Sequence, residues 1–68
     1  MKNFIKLTTV DNEKIGLCVD DITFLKERYV SAESTMFCYT KVYMLNDKYR
    51  FVKETVEQIV DSINKIKG

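Results

Sequence analysis

The segment Met36–Leu45 constrains the fold of this chain more than any other stretch, because it reads as one long strand with apolar side chains on both faces. Successive side chains of a strand point to opposite faces. The even face carries Met36, Cys38, Thr40, Val42 and Met44, and the odd face carries Phe37, Tyr39, Lys41, Tyr43 and Leu45. A chain of 68 residues covers only one of these faces with its own helix. The other face therefore needs a partner or a ligand.

Length and composition predict a single β-rich globular domain over residues 1–68. Apolar residues make up 46 % of the chain and charged residues 31 %, which is typical of a folded protein and not of a disordered one. The net charge is only +1, so composition alone gives no attraction to nucleic acid, acidic substrates or anionic lipid. No apolar run approaches the roughly 20 residues that span a bilayer. We therefore expect a cytoplasmic protein with no membrane insertion.

Alternating apolar residues predict three strands before the long one, over Phe4–Val10, Ile15–Val19 and Ile22–Tyr29. The first two strands flank a polar segment that is typical of a hairpin turn. The third strand alternates imperfectly, and a helical turn at Asp20–Ile22 is an alternative for its start, because aspartate is a good helix cap. The small polar segment Ser31–Thr35 is predicted to be a mobile loop.

A two-residue turn at 46–47 is predicted to connect the long strand to a short fifth strand, because Asn and Asp tolerate positive φ. In this register Tyr49 and Phe51 lie on the even face, and Arg50 lies on the odd face. The even face then contains no charged side chain, so we place the hydrophobic core on that side.

The chain is predicted to end in a helix over 55–67. Thr55 and Gln58 have the spacing of a capping box at its start. The following apolar residues share one stripe: Val56, Ile59, Val60, Ile63 and Ile66. The predicted fold class is therefore α+β, with a small antiparallel sheet of about five strands and one C-terminal helix packed on it. A charge placed at Val60 is expected to unfold the domain.

Two segments carry a resemblance to a known family. The opening Phe4-Ile5-Lys6-Leu7-Thr8 precedes a polar turn, and a strand–turn–strand leads into Val52-Lys53-Glu54-Thr55-Val56-Glu57-Gln58-Ile59-Val60. This pattern resembles the small flagellar FlbD/SwrD-type proteins, most closely in the C-terminal third. Similar short chains occur in gut bacteria and their phages. The resemblance implies a compact sheet with a C-terminal helix, no enzymatic role and no catalytic residues.

No set of residues predicts catalysis or a cofactor. The chain has no His and no Gly-rich phosphate loop, and its pattern pairs none of its Cys or Ser residues with a visible base. Cys18 and Cys38 lie in predicted strands and are expected to be small buried residues. Two thiolates alone do not complete a tetrahedral zinc site. We therefore predict a protein that is not an enzyme and that holds no metal or cofactor.

Self-association through the odd face is the favoured function. Its exposed aromatic and aliphatic residues would form a patch that is uncommon on monomers: Phe37, Tyr39, Tyr43 and Leu45. Most such assemblies are closed homo-oligomers. Alternatively, the third strand and its loop fold back over this face, and the protein stays monomeric.

Two further functions remain open. The basic and aromatic residues Lys41, Tyr43, Lys48 and Arg50 could line a pocket for an anionic nucleotide at a subunit interface, as in phage proteins that sequester immune signalling nucleotides. With Tyr49 they also form the best candidate for a nucleic-acid contact. The likeness to LytTR-type DNA-binding domains is one of shape alone.

Overall fold

Five antiparallel strands and one C-terminal helix form this protein, whose computed structural model describes residues 3–33 and 35–67, with only the backbone of Ala32 and Lys67. The strands are β1 (Phe4–Thr8), β2 (Lys14–Cys18), β3 (Ile22–Ala32), β4 (Thr35–Met44) and β5 (Lys48–Val52), and the helix is α1 (Val56–Lys67). The predicted α+β class is therefore confirmed.

The strands form two sheets, one of β1 and β2 and one with the order β3-β4-β5. The sheets meet where β1 passes the end of β5. There the Val10 N–H donates to the Phe51 carbonyl at 3.2 Å, and the Lys53 N–H donates to the Thr8 carbonyl at 2.8 Å. At this junction the end of β1 covers the β5 edge of the β3-β4-β5 sheet. The other edge strand of that sheet, β3, has no described strand beside it on its outer side.

Local chemistry accounts for the β1–β2 hairpin. Asn12 adopts a positive φ of 68°, which asparagine tolerates better than most residues. The Thr9 N–H donates to the Glu13 carbonyl at 2.8 Å, and this closes the turn. The chain then makes a short 3₁₀ turn over Val19–Asp21 before β3, close to the helical turn predicted as the alternative at that point.

The β3–β4 hairpin is longer than predicted. β3 continues to Ala32 and pairs with Thr35, so the connection is much shorter than the predicted loop over 31–35. Glu33 has a positive φ of 54°, and Ser34 lies outside the described residues. The prediction of a five-residue loop was wrong, because one-to-one strand pairing continues almost to the tip.

The predicted register of β5 was wrong by one residue. Leu45 leaves β4 and joins a three-residue turn over Leu45–Asp47, in which Asn46 and Asp47 have φ of 67° and 60°. Tyr49 therefore pairs with Tyr43, and Phe51 pairs with Lys41. Directly opposite residues share a face in an antiparallel pair, so Tyr49 and Phe51 lie on the odd face.

The same register places Arg50 opposite Val42 on the even face, not on the odd face. It also places Val52 opposite Thr40, and both of these side chains are fully buried. The even face of β4 is therefore the core face, as predicted. The hydrophobic core consists of Ile5, Leu7, Val19, Val42, Val52 and Ile59.

The helix starts as predicted but buries a narrower stripe. The Gln58 N–H donates to Thr55 Oγ1 at 3.1 Å, and the Thr55 N–H donates to Gln58 Oε1 at 2.9 Å, which is a capping box. Ile59 is fully buried, whereas Val60 is 42 % exposed. The expectation that a charge at Val60 unfolds the domain was therefore wrong, because Ile59 is the residue that enters the core.

The segment between β5 and α1 is tied to both sheets. Thr40 Oγ1 donates to the Glu54 carbonyl at 2.6 Å. The Glu54 carboxylate accepts the Thr8 N–H, at 2.9 Å to one oxygen and 3.0 Å to the other. Residue 54 therefore connects β1 to β4 immediately before the helix begins.

Candidate binding faces

The β3-β4-β5 sheet turns one face to the core and the other, here called the outer face, to solvent. The strand register gives its described side chains as Phe24, Lys26, Arg28 and Val30 of β3, Thr35, Phe37, Tyr39, Lys41 and Tyr43 of β4, and Tyr49 and Phe51 of β5. Apart from Thr35, each of these side chains is aliphatic, aromatic or basic, and none is acidic. The face therefore combines a high density of aromatic rings with an excess of positive charge.

The aromatic rings of the outer face contact one another edge to face. The ring centroids of Phe24 and Tyr43 are 5.3 Å apart, and Phe51 lies 5.4 Å from both Tyr39 and Tyr49. The interplanar angles are 64° to 76°, within the geometry that aromatic pairs prefer. These lateral contacts leave Tyr39 and Tyr43 half-buried and hold the rings in a fixed arrangement.

Lys41 lies at the centre of this ring cluster. Its Nζ is 4.3 Å from the ring centroid of Tyr49, 4.8 Å from that of Tyr43 and 5.7 Å from that of Phe51. All three distances fall within the roughly 6 Å of a cation–π contact. The ammonium group is thus held among aromatic rings and not beside a carboxylate.

The structure divides the predicted interface residues into two positions. Phe37, Tyr39 and Tyr43 lie on the outer face, and of these Phe37 is the most exposed. Leu45 is exposed as well, but it lies in the turn that follows β4. β3 runs beside β4 in the sheet and does not fold over its odd face.

The structure does not bring the four predicted ligand-binding residues together. Lys41 and Tyr43 are neighbours on the outer face, whereas Lys48 and Arg50 lie opposite Met44 and Val42 on the other side of the sheet. A single pocket lined by all four is therefore not formed within one subunit.

Sequence reasoning missed the contribution of β3 to the outer face. The register shifts between Ile22 and Phe24, where Thr23 is an extra residue in β3. This irregularity lets Ile22 pack on the core while Phe24 faces outward beside Tyr43. The imperfect alternation of the predicted third strand indicated this bulge. A bulge at Thr23 would have placed Lys26 on the outer face together with Phe24.

The far end of the β3–β4 hairpin projects beyond the rest of the sheet. β5 pairs only with Thr40–Met44, so residues 28–32 and 35–39, here called the arm, form a two-stranded ribbon. Apolar side chains are exposed on both of its sides. The exposed fractions are 69 % for Met36, 64 % for Tyr29, 55 % for Phe37 and 43 % for Val30.

An open apolar groove lies at the base of the arm, where β5 ends and the β1–β2 turn begins. Its volume is about 360 Å³, and its walls are Val10, Val30, Phe37, Tyr39 and Phe51. Among the residues that the structure describes, none with a charged side chain lines the groove. The groove and the arm thus share Val30, Phe37 and Tyr39 and have the same apolar character.

The inner side of the arm is connected to the start of the helix. Glu27 Oε1 accepts the Val56 N–H at 3.1 Å, and Glu27 Oε2 accepts the Tyr29 hydroxyl. The Tyr29 hydrogen bond and then the Val56 N–H lower the pKa of the Glu27 carboxyl below its usual value. The same hydrogen bond and the carboxylate charge raise the pKa of Tyr29 to about 12.

This arrangement predicts that the Glu27 carboxylate stabilises the fold fully above pH 4.5 and progressively less as pH falls below that value. Because the folded-state pKa of Glu27 is depressed from 4.5, its stabilising effect is present above that value and is lost as pH falls through the folded pKa. We expect Glu27→Gln to lower the melting temperature at pH 7 and to change it much less at pH 3. Thermal unfolding followed by circular dichroism at both pH values measures this. Glu13→Gln, in the exposed β1–β2 turn, is the control; an equal loss at both pH values would contradict the prediction.

The described residues include no grouping that favours metal chemistry. Among residues 3–33 and 35–67, no three His, Cys, Asp or Glu side chains lie close enough together to hold a metal ion. Cys18 is buried, Cys38 is half-buried, and both are free thiols. No helix in the described part of the chain has the length and apolarity needed to cross a bilayer.

No protein-family model matches this chain, and the chain shows no significant match to a curated protein or to a solved structure. The resemblance to FlbD/SwrD-type proteins therefore stays a prediction from the residues of the two segments that carry it.

Proposed function

We propose that this protein is a non-catalytic, homo-oligomeric binding module in which a second copy covers the arm. The observation that supports this proposal is the exposure of large apolar side chains on both sides of the arm. Two-stranded hairpins are at best marginally stable in water when nothing packs on them. A partner that covers the arm would remove this apolar surface from water and stabilise the hairpin.

A second copy of the chain is the occupant that matches the surfaces in polarity. Apart from Arg28 at its base, the arm has no charged residue. The groove at its base is also uncharged. The apolar arm of one copy seated in the apolar groove of another leaves no buried charge unpaired, and an exchange of this kind closes with two-fold symmetry.

The area available fits a dimer of moderate affinity. A large side chain has about 150–250 Å² to bury, and the four arm residues are exposed to between 43 % and 69 %, so together they offer roughly 450 Å² per copy. A symmetric pair would then bury about 900 Å², close to the lower limit of about 1,000 Å² for a specific interface. We therefore expect assembly that depends on concentration in the micromolar range.

Sedimentation equilibrium at 5 to 200 μM tests the proposal. We expect a mass above the 8.0 kDa of one chain, falling to that of one chain in Phe37→Asp, with far-UV circular dichroism unchanged. Phe37 lies at the arm and is exposed, so a charge there does not enter the core. Val60→Asp, which places the same charge on an exposed apolar residue of the helix, should leave the assembly intact. A single 8.0 kDa species at every concentration would refute the proposal.

The proposal includes two finer expectations. A relationship to the FlbD/SwrD-type proteins is supported by the segment 52–60, which forms the end of β5, the tied segment around Glu54 and the first turns of α1. A cytoplasmic location is supported by the two free thiols, which are typical of proteins in reducing compartments.

A further inference from the structure

We propose that the outer face near β5 binds single-stranded nucleic acid, with bases stacked on its aromatic rings and phosphates paired with Lys26, Arg28 and Lys41. This proposal centres on Phe24, Lys26, Lys41 and Tyr49, which lie outside the arm and its groove, and it shares Arg28 with the arm and Phe51 with the groove wall. It goes beyond the proposed assembly because it names a ligand for the part of the outer face around Lys41, and variants at Lys41 and Tyr49 test it separately from the arm contact.

Accessible rings are the first requirement for base stacking. Phe24, Tyr49 and Phe51 are exposed in spite of their contacts with neighbouring rings. Those contacts are edge to face, so the rings do not stack flat on one another. Single-strand binding proteins use rings presented in this way on a sheet, because every base has a π-face.

Uncompensated positive charge is the second requirement. Lys26 and Lys41 are directly opposite each other on β3 and β4, and Arg28 is the next outward residue along β3. Like charges in directly opposite positions destabilise a sheet, and the face offers no carboxylate to offset them. A phosphate backbone crossing the face would relieve this repulsion and release counterions.

A second copy is a poor occupant of this part of the sheet, although it suits the arm. A two-fold contact centred on Lys41 would bring the Lys26 and Lys41 ammonium groups of the two copies towards one another. Double-stranded DNA is also a poor occupant, because its bases are stacked within the helix and do not present their faces to a flat sheet. The chemistry therefore favours a strand with unstacked bases.

Fluorescence anisotropy with labelled 12-nucleotide strands of mixed sequence tests the proposal. The probes are single-stranded DNA, the corresponding RNA, and the DNA annealed to its complement, each at 50 to 300 mM salt. We expect one or both single strands to bind at least tenfold more tightly than the duplex. The slope of log K against log salt should be about −2, as for three phosphate contacts at about −0.7 each.

Matched variants distinguish specific binding at the outer face from non-specific binding to the rest of the protein surface. Lys41→Met keeps the aliphatic stem and removes the charge, so the slope should become less steep by about 0.7. Tyr49→Leu should weaken binding by about fivefold or more, the effect of losing one stacked base. Two control variants change an exposed cation of α1 (Lys65→Met) and an exposed ring of β1 (Phe4→Leu). Both should bind the single strands as tightly as the unchanged protein does. No binding of either single strand at 50 mM salt, or equal losses in the control variants, would overturn the proposal.

Discussion

We expect Ile59→Asp to unfold the domain and the same replacement at the adjacent Val60 to leave it folded. Ile59 is fully buried within the core cluster, and Val60 is 42 % exposed. An unpaired carboxylate in an apolar core costs several kcal/mol or takes up a proton, and the lost packing adds about 2–5 kcal/mol. A core of this size supplies only about 3–5 kcal/mol of net stability. The destabilisation caused by Ile59→Asp therefore exceeds the whole free energy of unfolding of the domain.

Far-UV circular dichroism and urea titration of the two variants measure the difference. We expect Ile59→Asp to lack a cooperative unfolding transition and Val60→Asp to retain one near that of the unchanged protein. Ile59→Ala is a milder third variant, expected to lose about 2–5 kcal/mol without adding a charge. If Val60→Asp also unfolds the chain, the prediction is wrong, and the exposed side of α1 must be covered by another copy. The buried stripe of α1 would then include Val60 as well as Ile59.

Alternation and helical spacing were enough to predict the elements of this fold. The strands β1, β2 and β4 follow from apolar residues on alternate positions, and α1 follows from its capping box and its spacing of β-branched residues. The choice between the two faces of β4 was also correct, because Val42 and Thr40 are buried. These features depend on local sequence, so they can be read without knowing the tertiary contacts.

The candidate face was only partly predictable, because its composition depends on the number of residues in a turn. A one-residue change of register moves every side chain of a strand to the opposite face. The chain forms a three-residue turn with Leu45 in place of a two-residue turn, and this alone moved Tyr49 and Phe51 outward and Arg50 inward. Asn46 and Asp47 tolerate positive φ in either turn, so the local sequence did not distinguish them.

The burial of the apolar stripe of α1 was also only partly predictable, for a different reason. Five residues have helical spacing on one side, yet only Ile59 is fully buried and Val60 is exposed. How many positions of a stripe enter the core depends on the width of the surface beneath the helix. That width comes from the arrangement of two small sheets, which no local pattern specifies.

One buried polar contact has a large expected effect on stability. Thr40 is the one buried polar residue among those described, and its hydroxyl donates to the Glu54 carbonyl at 2.6 Å. Through Glu54, whose carboxylate accepts the Thr8 N–H, this contact joins β4 to β1 at the point where the two sheets meet. Losing it would leave the Glu54 carbonyl without this donor in a partly buried site.

Thr40→Val should therefore destabilise the protein by about 1–3 kcal/mol, the cost of a buried group that loses its partner. Valine has nearly the same shape as threonine, so the core loses a hydrogen bond and not volume. Urea denaturation measures the change, with an unchanged slope showing that the folded and unfolded states keep their compactness. Thr35→Val, at an exposed position of the same strand, is the matched control and should change stability by less than about 0.5 kcal/mol. An equally small effect at Thr40 would contradict the prediction and show that the Thr40 hydroxyl adds little to the stability of the junction between the two sheets.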